Sequence, residues 1–195
     1  MEDYKKYRWF YTLSGKLVVG GKSSTQNDEL LIKLKKTRKN YIVMHTSSPG
    51  SPFSVILSDP SEVSERDIEE ATVFTGCFSR KWREQNKKAN VNIFSLSDLY
   101  KSKSMKSGTW GVKGKAKQMT VQLELVLAIQ EKILRAVPEL SVKNKKDVLL
   151  KIKPGKIDKT EMLPKFHVLL DKNFSQEELL SALPPGGISI VSKNA

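Results

Sequence analysis

The chain has 195 residues, of which 34 are Lys or Arg and 21 are Asp or Glu, so its formal net charge is +13. Hydrophobic residues make up 38% and charged residues 28%, which is enough apolar material for a core and excludes a disordered basic tail. One cysteine and two histidines exclude a Cys/His zinc site and an intrachain disulfide. The sequence therefore predicts a folded, basic protein, and we expect neither a metal nor a cofactor.

Two short β-branched and aromatic runs near the N-terminus predict a β-hairpin, over residues 8–12 and 16–19. Gly15 lies in the connection and can take the positive φ that such turns need. A helix should follow, opened by a capping box in which Thr25 is the cap and Asp28 lies three residues on. Leucines at helical spacing predict that one face of this helix is buried.

The middle of the chain predicts three more strands and a second helix. The strands are residues 41–46, 53–57 and 91–94. Ser64 and Asp67 form a capping box for the helix, whose buried stripe follows helical spacing: Ile68, Ala71, Phe74, Thr75, Phe78 and Trp82. Residues 97–106 should be irregular. Residues 109–114 resemble a strand edge interrupted by glycines, where a backbone or a ligand can approach closely.

The C-terminal part predicts further strands and two helices. Residues 121–129 fit a strand or a helix, and we favour the strand. A strand over 148–153 should be turned by Pro154 and Gly155, and a helix over 160–172 should carry Pro164 in its first turn. Ser175 and Glu178 cap a helix over 176–183, and 188–191 is a last strand. Without a regular βαβ rhythm, the fold class should be α+β, a mixed or antiparallel sheet with helices packed on it.

The positive charge is concentrated in one segment. Residues 1–118 carry 22 basic and 12 acidic side chains, net +10, whereas residues 119–195 carry 12 and 9, net +3. Within the first part, residues 80–117 hold eleven cations and two acids, net +9. Aromatic residues are interleaved with these cations: Trp82, Phe94, Tyr100 and Trp110. This composition is typical of a surface that contacts phosphates and stacks bases, although a lysine-rich proteome would also raise the charge.

The sequence contains few groups that could act in catalysis. Gly20, Gly21 and Lys22 resemble the end of a phosphate-binding loop, but a P-loop needs its first glycine at position 16, which is Lys16. The two glycines before a helix could place N–H groups near a phosphate, or form a plain turn. His45 could contact a ligand or be structural, and Cys77 is expected to be a buried packing residue. With no nucleophile and base pair, we expect a protein that is not an enzyme.

The N-terminus lacks the apolar run of a secretory signal, and no apolar stretch approaches the roughly 20 residues that cross a bilayer. We expect a cytoplasmic protein that does not associate with membranes.

Several motifs, in order, resemble the NFACT RNA-binding domain (NFACT-R). They are RWF at 8–10, LVVGGK at 17–22, QNDELL at 26–31, YIVMHT at 41–46, CFSRKW at 77–82 and GTWGVKGK at 108–115. The C-terminal part is similar to the region that follows this module in archaeal members, in residues 123–129, 148–155 and 183–187. Two features depart from the family pattern: the pair Ser47 and Ser48 replaces an acidic residue, and Trp110 stands where Phe is common.

The resemblance implies two parts, an NFACT-R-like RNA-binding domain over 1–118 and an α+β extension over 119–195, as in stand-alone archaeal proteins. It implies an RNA partner, tRNA or rRNA, and a link to translation and ribosome-associated quality control, with the large ribosomal subunit as a further candidate partner. Alternatives are an accessory factor or enzyme of RNA modification, and a DNA-binding module. The candidate nucleic-acid-binding residues are Arg8, Lys22, Asn27, His45, Arg80, Lys81, Arg83, Lys101, Lys103, Trp110, Lys113 and Lys115.

Overall fold

The computed structural model describes Met1, residues 3–170 and residues 174–191. Within these ranges the chain forms antiparallel sheets with helices packed on them, which confirms the predicted α+β class. None of the described helices is long and apolar enough to cross a membrane.

The α-helices are Ser24–Lys36 (α1), Glu65–Cys77 (α2), Arg80–Arg83 (α3), Leu163–Leu169 (α4) and Gln176–Ala182 (α5). The strands are Arg8–Tyr11 (β1), Leu17–Gly20 (β2), Ile42–Thr46 (β3), Ser54–Ile56 (β4), Lys88–Ser95 (β5), Leu99–Tyr100 (β6), Gly111–Val112 (β7), Lys117–Gln122 (β8), Leu125–Gln130 (β9), Ile133–Val137 (β10), Leu150–Asp158 (β11) and Gly187–Val191 (β12). The predicted hairpin is present as β1 and β2, and Gly15 has a φ of 83°.

A six-stranded sheet in the order β1-β2-β4-β3-β5-β8 carries the N-terminal part, and all its pairs are antiparallel. Successive residues of its central strands are buried on opposite faces. The helix α1 packs on one face, and α2 packs on the other. The two faces divide neighbouring residues between them: Trp9 and Phe10, Val18 and Val19, Val43 and Met44, Val55 and Ile56. Because both faces of these strands are buried, their neighbouring residues are both apolar and do not alternate with polar ones.

A second sheet, β10-β9-β11-β12, lies beside β1 and joins the first sheet through side chains. The Gln130 amide donates to the carbonyl of Tyr11 at 2.9 Å and accepts from its N–H at 2.8 Å. Arg135 Nε donates to the Trp9 carbonyl at 3.2 Å. Trp82, fully buried on α3, donates its indole N–H to the Gly187 carbonyl at 3.0 Å. The bonds of Gln130 and Arg135 occupy the edge of β1 that would otherwise be open to pairing, and the Trp82 bond joins α3 to β12.

The predicted single strand over 121–129 is wrong. The chain instead passes from β8 of the first sheet to β9 of the second and then turns back as β10, which the sequence did not reveal. Leu123 stays buried at the crossing, and its N–H donates to the Lys87 carbonyl at 2.9 Å. β8 buries Val121 between exposed neighbours, whereas β9 buries four successive residues, 125–128, so the apolar alternation in the sequence does not mark the boundary between the two strands.

The turn predicted at Pro154 and Gly155 is also wrong, since β11 continues through both residues with a bulge between Pro154 and Ile157. A Cβ on Gly155 would collide with Ser189 and its neighbours on β12, so glycine permits the close approach of these two strands. The helix predicted over 160–172 is only Leu163–Leu169, with Pro164 in its first turn as expected, and Lys172 lies outside the described residues.

The capping predictions differ in outcome. Ser64 with Asp67 and Ser175 with Glu178 form the predicted capping boxes. Thr25 is not the cap of α1, however, because Ser23 accepts the Gln26 N–H at 3.2 Å and the Asp28 carboxylate points to a distant loop. The buried stripe predicted for the second helix is divided between two helices, since α2 ends at Cys77 and Trp82 lies on α3.

The Asp67 carboxylate links α2 to the β1–β2 hairpin. It accepts the Ser14 hydroxyl at 2.6 Å and the Ser64 N–H at 2.9 Å, and its residue is only 1% exposed. Burial by itself would raise the pKa of Asp67, but the hydrogen bonds from Ser14, Ser64 and Thr12 outweigh it and lower the pKa to about 2.

Because this pKa lies below that of the unfolded chain, ionised Asp67 stabilises the fold above about pH 4, and the contribution is lost as the pH falls towards 2. We expect Asp67→Asn to remove up to about 2 kcal/mol of pH-dependent unfolding free energy between pH 2.5 and 6, measured by urea denaturation. Glu65→Gln, on the exposed side of the same helical turn, is the control and should keep the wild-type profile. An unchanged profile in Asp67→Asn would contradict the assignment.

Candidate nucleic-acid interface

Four strands of the first sheet end at one rim. The register pairs Arg8 with Gly20, Gly20 with Ser54, and Ser54 with Met44. The start of β1, the end of β2, the start of β4 and the end of β3 therefore lie side by side. Since both faces of these four strands are packed with apolar side chains, polar residues emerge at this rim and in the loops beyond it.

A groove of about 730 Å³ follows this rim, within the roughly 300–1,000 Å³ of ordinary ligand sites. Four cations line it, and no carboxylate does among the described residues. It collects seven of the twelve candidate residues: Arg8, Lys22, Asn27, His45, Arg80, Arg83 and Trp110.

The remaining candidates lie outside the groove lining. Lys81 forms an ion pair with Glu84 at 2.9 Å. Lys103 and Lys115 are exposed in the basic loops, and Lys113 lies on the far side of Trp110 near the Tyr100 ring. Lys101 is engaged as described below.

Asn27 shapes the groove from beneath. It is 6% exposed, accepts the Phe53 N–H at 3.0 Å and donates to the Ser51 carbonyl at 3.4 Å. A Cβ on Gly21 would overlap Asn27, so this glycine allows the end of β2 to lie against α1. Asn27 thus positions the loop before β4, and its amide is occupied within the protein.

His45 lies on the groove wall with its ring stacked on Phe53 at 4.3 Å between centroids. Its Nδ1 is 2.7 Å from the Thr46 carbonyl, so Nδ1 carries the proton and donates. Burial lowers the pKa of His45, against the hydrogen bond to Thr46, which raises it. The ring is therefore neutral at neutral pH, and Nε2, which has no partner among the described residues, is a hydrogen-bond acceptor.

Asp28 organises the basic loop that forms the opposite wall. Its carboxylate accepts the Trp110 indole N–H at 2.8 Å, the Lys101 ammonium at 3.0 Å and the Gly108 N–H at 3.0 Å. Burial opposes ionisation of Asp28, but the Gly108, Lys101 and Trp110 hydrogen bonds prevail and lower its pKa. One carboxylate therefore fixes the loop and the orientation of Trp110.

Lys101 belongs to this structural cluster. Besides Asp28, its ammonium donates to the carbonyls of Lys106 at 2.8 Å and Thr109 at 3.0 Å. All three of its N–H groups thus have acceptors within the protein, which leaves none free for a phosphate in this arrangement. The sequence did not reveal this role of Asp28, although the residue lies in the QNDELL segment, because the spacing from Thr25 predicted that Asp28 closes a capping box.

The short helix α3 places two cations beside the loop between β3 and β4. Arg80 and Arg83 are exposed on it, while Trp82 between them is buried and anchors the helix. The Arg80 N–H donates to the Gly50 carbonyl at 2.7 Å, and Gly50 has a φ of 104° with the Arg80 side chain against its Cα. A side chain at position 50 would push Arg80 away from the groove.

Among the described residues, the groove lining holds one histidine and neither a cysteine nor a carboxylate. Cys77 is fully buried as predicted, and burial raises the pKa of its thiol well above the usual value, so it is protonated and unreactive. Among the described residues there is no cluster of three or more metal-ligating His, Cys, Asp or Glu side chains. The arrangement suits binding of phosphates by guanidinium groups and contact of a flat ring with Trp110.

We expect Asp28→Asn to release the basic loop, because a neutral amide cannot hold the ammonium and two N–H groups together. Trp9 and Trp82 are at most 1% exposed, so acrylamide quenching reports mainly on Trp110. Quenching should rise in Asp28→Asn and remain unchanged in Glu29→Gln, the exposed neighbour on the same helix. Equal quenching in both variants would show that Asp28 does not hold Trp110.

Comparisons with known proteins identify the family of the chain. The model of the NFACT protein RNA binding domain matches residues 6–114. An archaeal Rqc2 homolog, aRqcH from Methanocaldococcus jannaschii, is 31% identical over 202 residues, which cover 97% of this chain and 29% of the relative. This chain thus spans less than a third of the length of that protein.

A solved structure shares the fold. The C-terminal part of the fibronectin/fibrinogen-binding protein from Streptococcus suis aligns with a TM-score of 0.50 at 20% identity, over 73% of this chain and 47% of that chain. The family match covers more than half of the chain and includes the groove-lining residues from Arg8 to Val112. The chain belongs to the NFACT RNA-binding domain family.

Proposed function

We propose that the chain binds RNA through the rim groove and that it is not an enzyme. The observation that carries this proposal is a groove lined by four cations and no carboxylate within the described part of the chain. RNA supplies the phosphates that this lining complements, and counterion release would drive the association. His45 is the one histidine in the lining, and it has neither a carboxylate nor a cysteine beside it there, which supports a binding role over catalysis.

His45 supports RNA over DNA as the ligand. With Nδ1 donating to the Thr46 carbonyl, the neutral ring presents Nε2 as an acceptor. A phosphate offers no donor at neutral pH, whereas a ribose 2′-hydroxyl does, and this hydroxyl distinguishes RNA from DNA. The histidine is thus suited to read the sugar, while the arginines contact the backbone.

We propose that the RNA is structured, tRNA or rRNA, and that the protein acts in ribosome-associated quality control in the cytoplasm. This proposal rests on family membership and on the similarity to a protein described as an archaeal Rqc2 homolog. Because the chain spans 29% of that protein, association with the large ribosomal subunit is a separate proposal, to be tested by co-sedimentation.

Removal of two cationic side chains from the groove should weaken RNA binding, because fewer phosphates are neutralised and fewer counterions are released. We expect Arg80→Ala/Arg83→Ala to lower the affinity for tRNA by about tenfold at low salt, and to reduce the slope of log K against log salt by about 1.5. Filter binding at several salt concentrations measures both quantities.

The matched control is Lys145→Ala/Lys146→Ala, which removes the same charge from exposed positions outside the groove. It should change the slope by much less. Equal effects of the two double variants would place the RNA elsewhere, and no binding of tRNA or rRNA by the wild type at low salt would refute the proposed function.

The role of His45 predicts a preference that depends on the sugar. Wild-type protein should bind an RNA oligonucleotide more tightly than the DNA of the same sequence, and His45→Phe, which keeps the stacking on Phe53, should reduce this ratio by about threefold to tenfold. Fluorescence anisotropy with both ligands measures the ratio. If His45→Phe weakened RNA and DNA binding equally, the histidine would contribute only to the shape of the groove.

A further inference from the structure

Two arginines beside β1 are desolvated without a counter-ion. Arg8 lines the groove with its guanidinium 4.7 Å above the Phe78 ring, and among the described residues it has no carboxylate partner and no hydrogen-bond acceptor. Arg135 is 6% exposed, lies 4.7 Å above the Trp9 ring, and its one hydrogen bond within the described chain is from Nε to the Trp9 carbonyl. This hydrogen bond holds the Arg135 guanidinium beside the main chain of Trp9, the residue that follows Arg8.

This arrangement is costly. Burial lowers the pKa of Arg8 to about 10, and burial together with repulsion from Arg8 lowers the pKa of Arg135 to about 10. Both therefore remain protonated at neutral pH. Burial also lowers the pKa of Lys22, and repulsion from Arg8 and Arg135 lowers it further. Cation–π contacts with two rings offset only part of this cost.

The carboxylates that the fold takes out of solvent, by contrast, have partners within the protein. Glu70, which is 0% exposed, accepts from Arg66 at 3.2 Å and from the Leu13 N–H at 2.9 Å. Asp67 and Asp28 are held by the hydrogen bonds described above. Lys159, half-buried near Arg8, also has no ion-pair partner within the described chain, and its ammonium donates to the Leu180 carbonyl at 3.0 Å. Desolvated cations without a carboxylate therefore gather where the groove meets β1, and this points to a counter-ion that comes from a ligand.

We propose that Arg8 and Lys22 bind one phosphate group, with Arg135 supplying buried positive charge behind them. The inference rests on the proposed function, since the phosphate is expected to arrive with RNA in the groove. A phosphate fits because the guanidinium fork of Arg8 can donate two parallel hydrogen bonds to its oxygens. Arg135 lies beyond the family match at 6–114, so the second sheet contributes to the site.

Inorganic phosphate tests the site in the wild-type chain. At constant ionic strength, NMR of the arginine Nε–H groups should show saturable shifts for Arg8 on addition of phosphate and none on addition of chloride. If phosphate produced no saturable shift while the protein still bound RNA, the phosphate site would be refuted and the proposed function would stand. Failure to bind either ligand would refute both.

Variants separate a ligand-binding arginine from a structural one. Arg8→Met keeps an apolar stem on Phe78 and removes the unpaired charge, so it should raise the thermal midpoint by about 2–4 °C and abolish the phosphate-dependent stabilisation. Arg66→Met is the matched control. It should lower the thermal midpoint, because it removes the ion-pair partner of the buried Glu70 carboxylate, and it should leave the phosphate-dependent stabilisation intact. Phosphate stabilisation that persists in Arg8→Met is a general salt effect and overturns the assignment.

Three RNA oligonucleotides of one sequence identify the source of the phosphate: 5′-phosphorylated, 3′-phosphorylated and without terminal phosphate. A gain in affinity from one terminal phosphate that disappears in Arg8→Met assigns the site to that RNA end. Equal affinities with an equal loss in Arg8→Met assign it to an internal phosphate. Equal affinities with no loss in Arg8→Met contradict the proposal.

Discussion

Burial of both faces of the strands β1–β4 of the first sheet is the constraint on which the rest of the structure depends. Each central strand contributes adjacent apolar residues, such as Val43 and Met44, to opposite sides, under α1 and α2. A charged side chain on either face would have to be desolvated, so charges are displaced to the strand ends. The antiparallel register brings those ends together at one rim, and this makes a groove out of residues far apart in sequence.

The positive charge of the chain has two uses in this setting. Some cations are structural: Lys101 donates all its N–H groups within the protein, and Lys81 is paired with Glu84. Others, Arg80 and Arg83, are exposed beside the groove on a helix held by Trp82. Carboxylates separate the two classes: Asp28 uses Lys101 to fix the loop that carries Trp110, and Glu84 pairs with Lys81. A count of cations along the chain does not distinguish these uses.

The second sheet is more than an appendage in physical terms. It occupies the open edge of β1 through Gln130 and Arg135, and its last strand accepts the Trp82 indole N–H at Gly187. One apolar core cluster includes residues of both sheets. Whether residues 1–118 and 119–195 are separate domains stays a prediction, but β8, at residues 117–122, belongs to the first sheet and leads directly into the second.

The sequence by itself determined the local features of this protein: the α+β class, the first hairpin with Gly15, the capping boxes at Ser64 and Ser175, the buried Cys77, and a basic surface with family motifs. These depend on residues within one or two turns of each other, so spacing reveals them. The tertiary structure alone decided the crossing from β8 to β9, the continuation of β11 through Pro154, the use of Asp28 by a loop some 80 positions away, and the meeting of Arg8 with Arg135. Such features arise from strand register and packing between distant segments, for which neither periodicity nor charge carries a local signal.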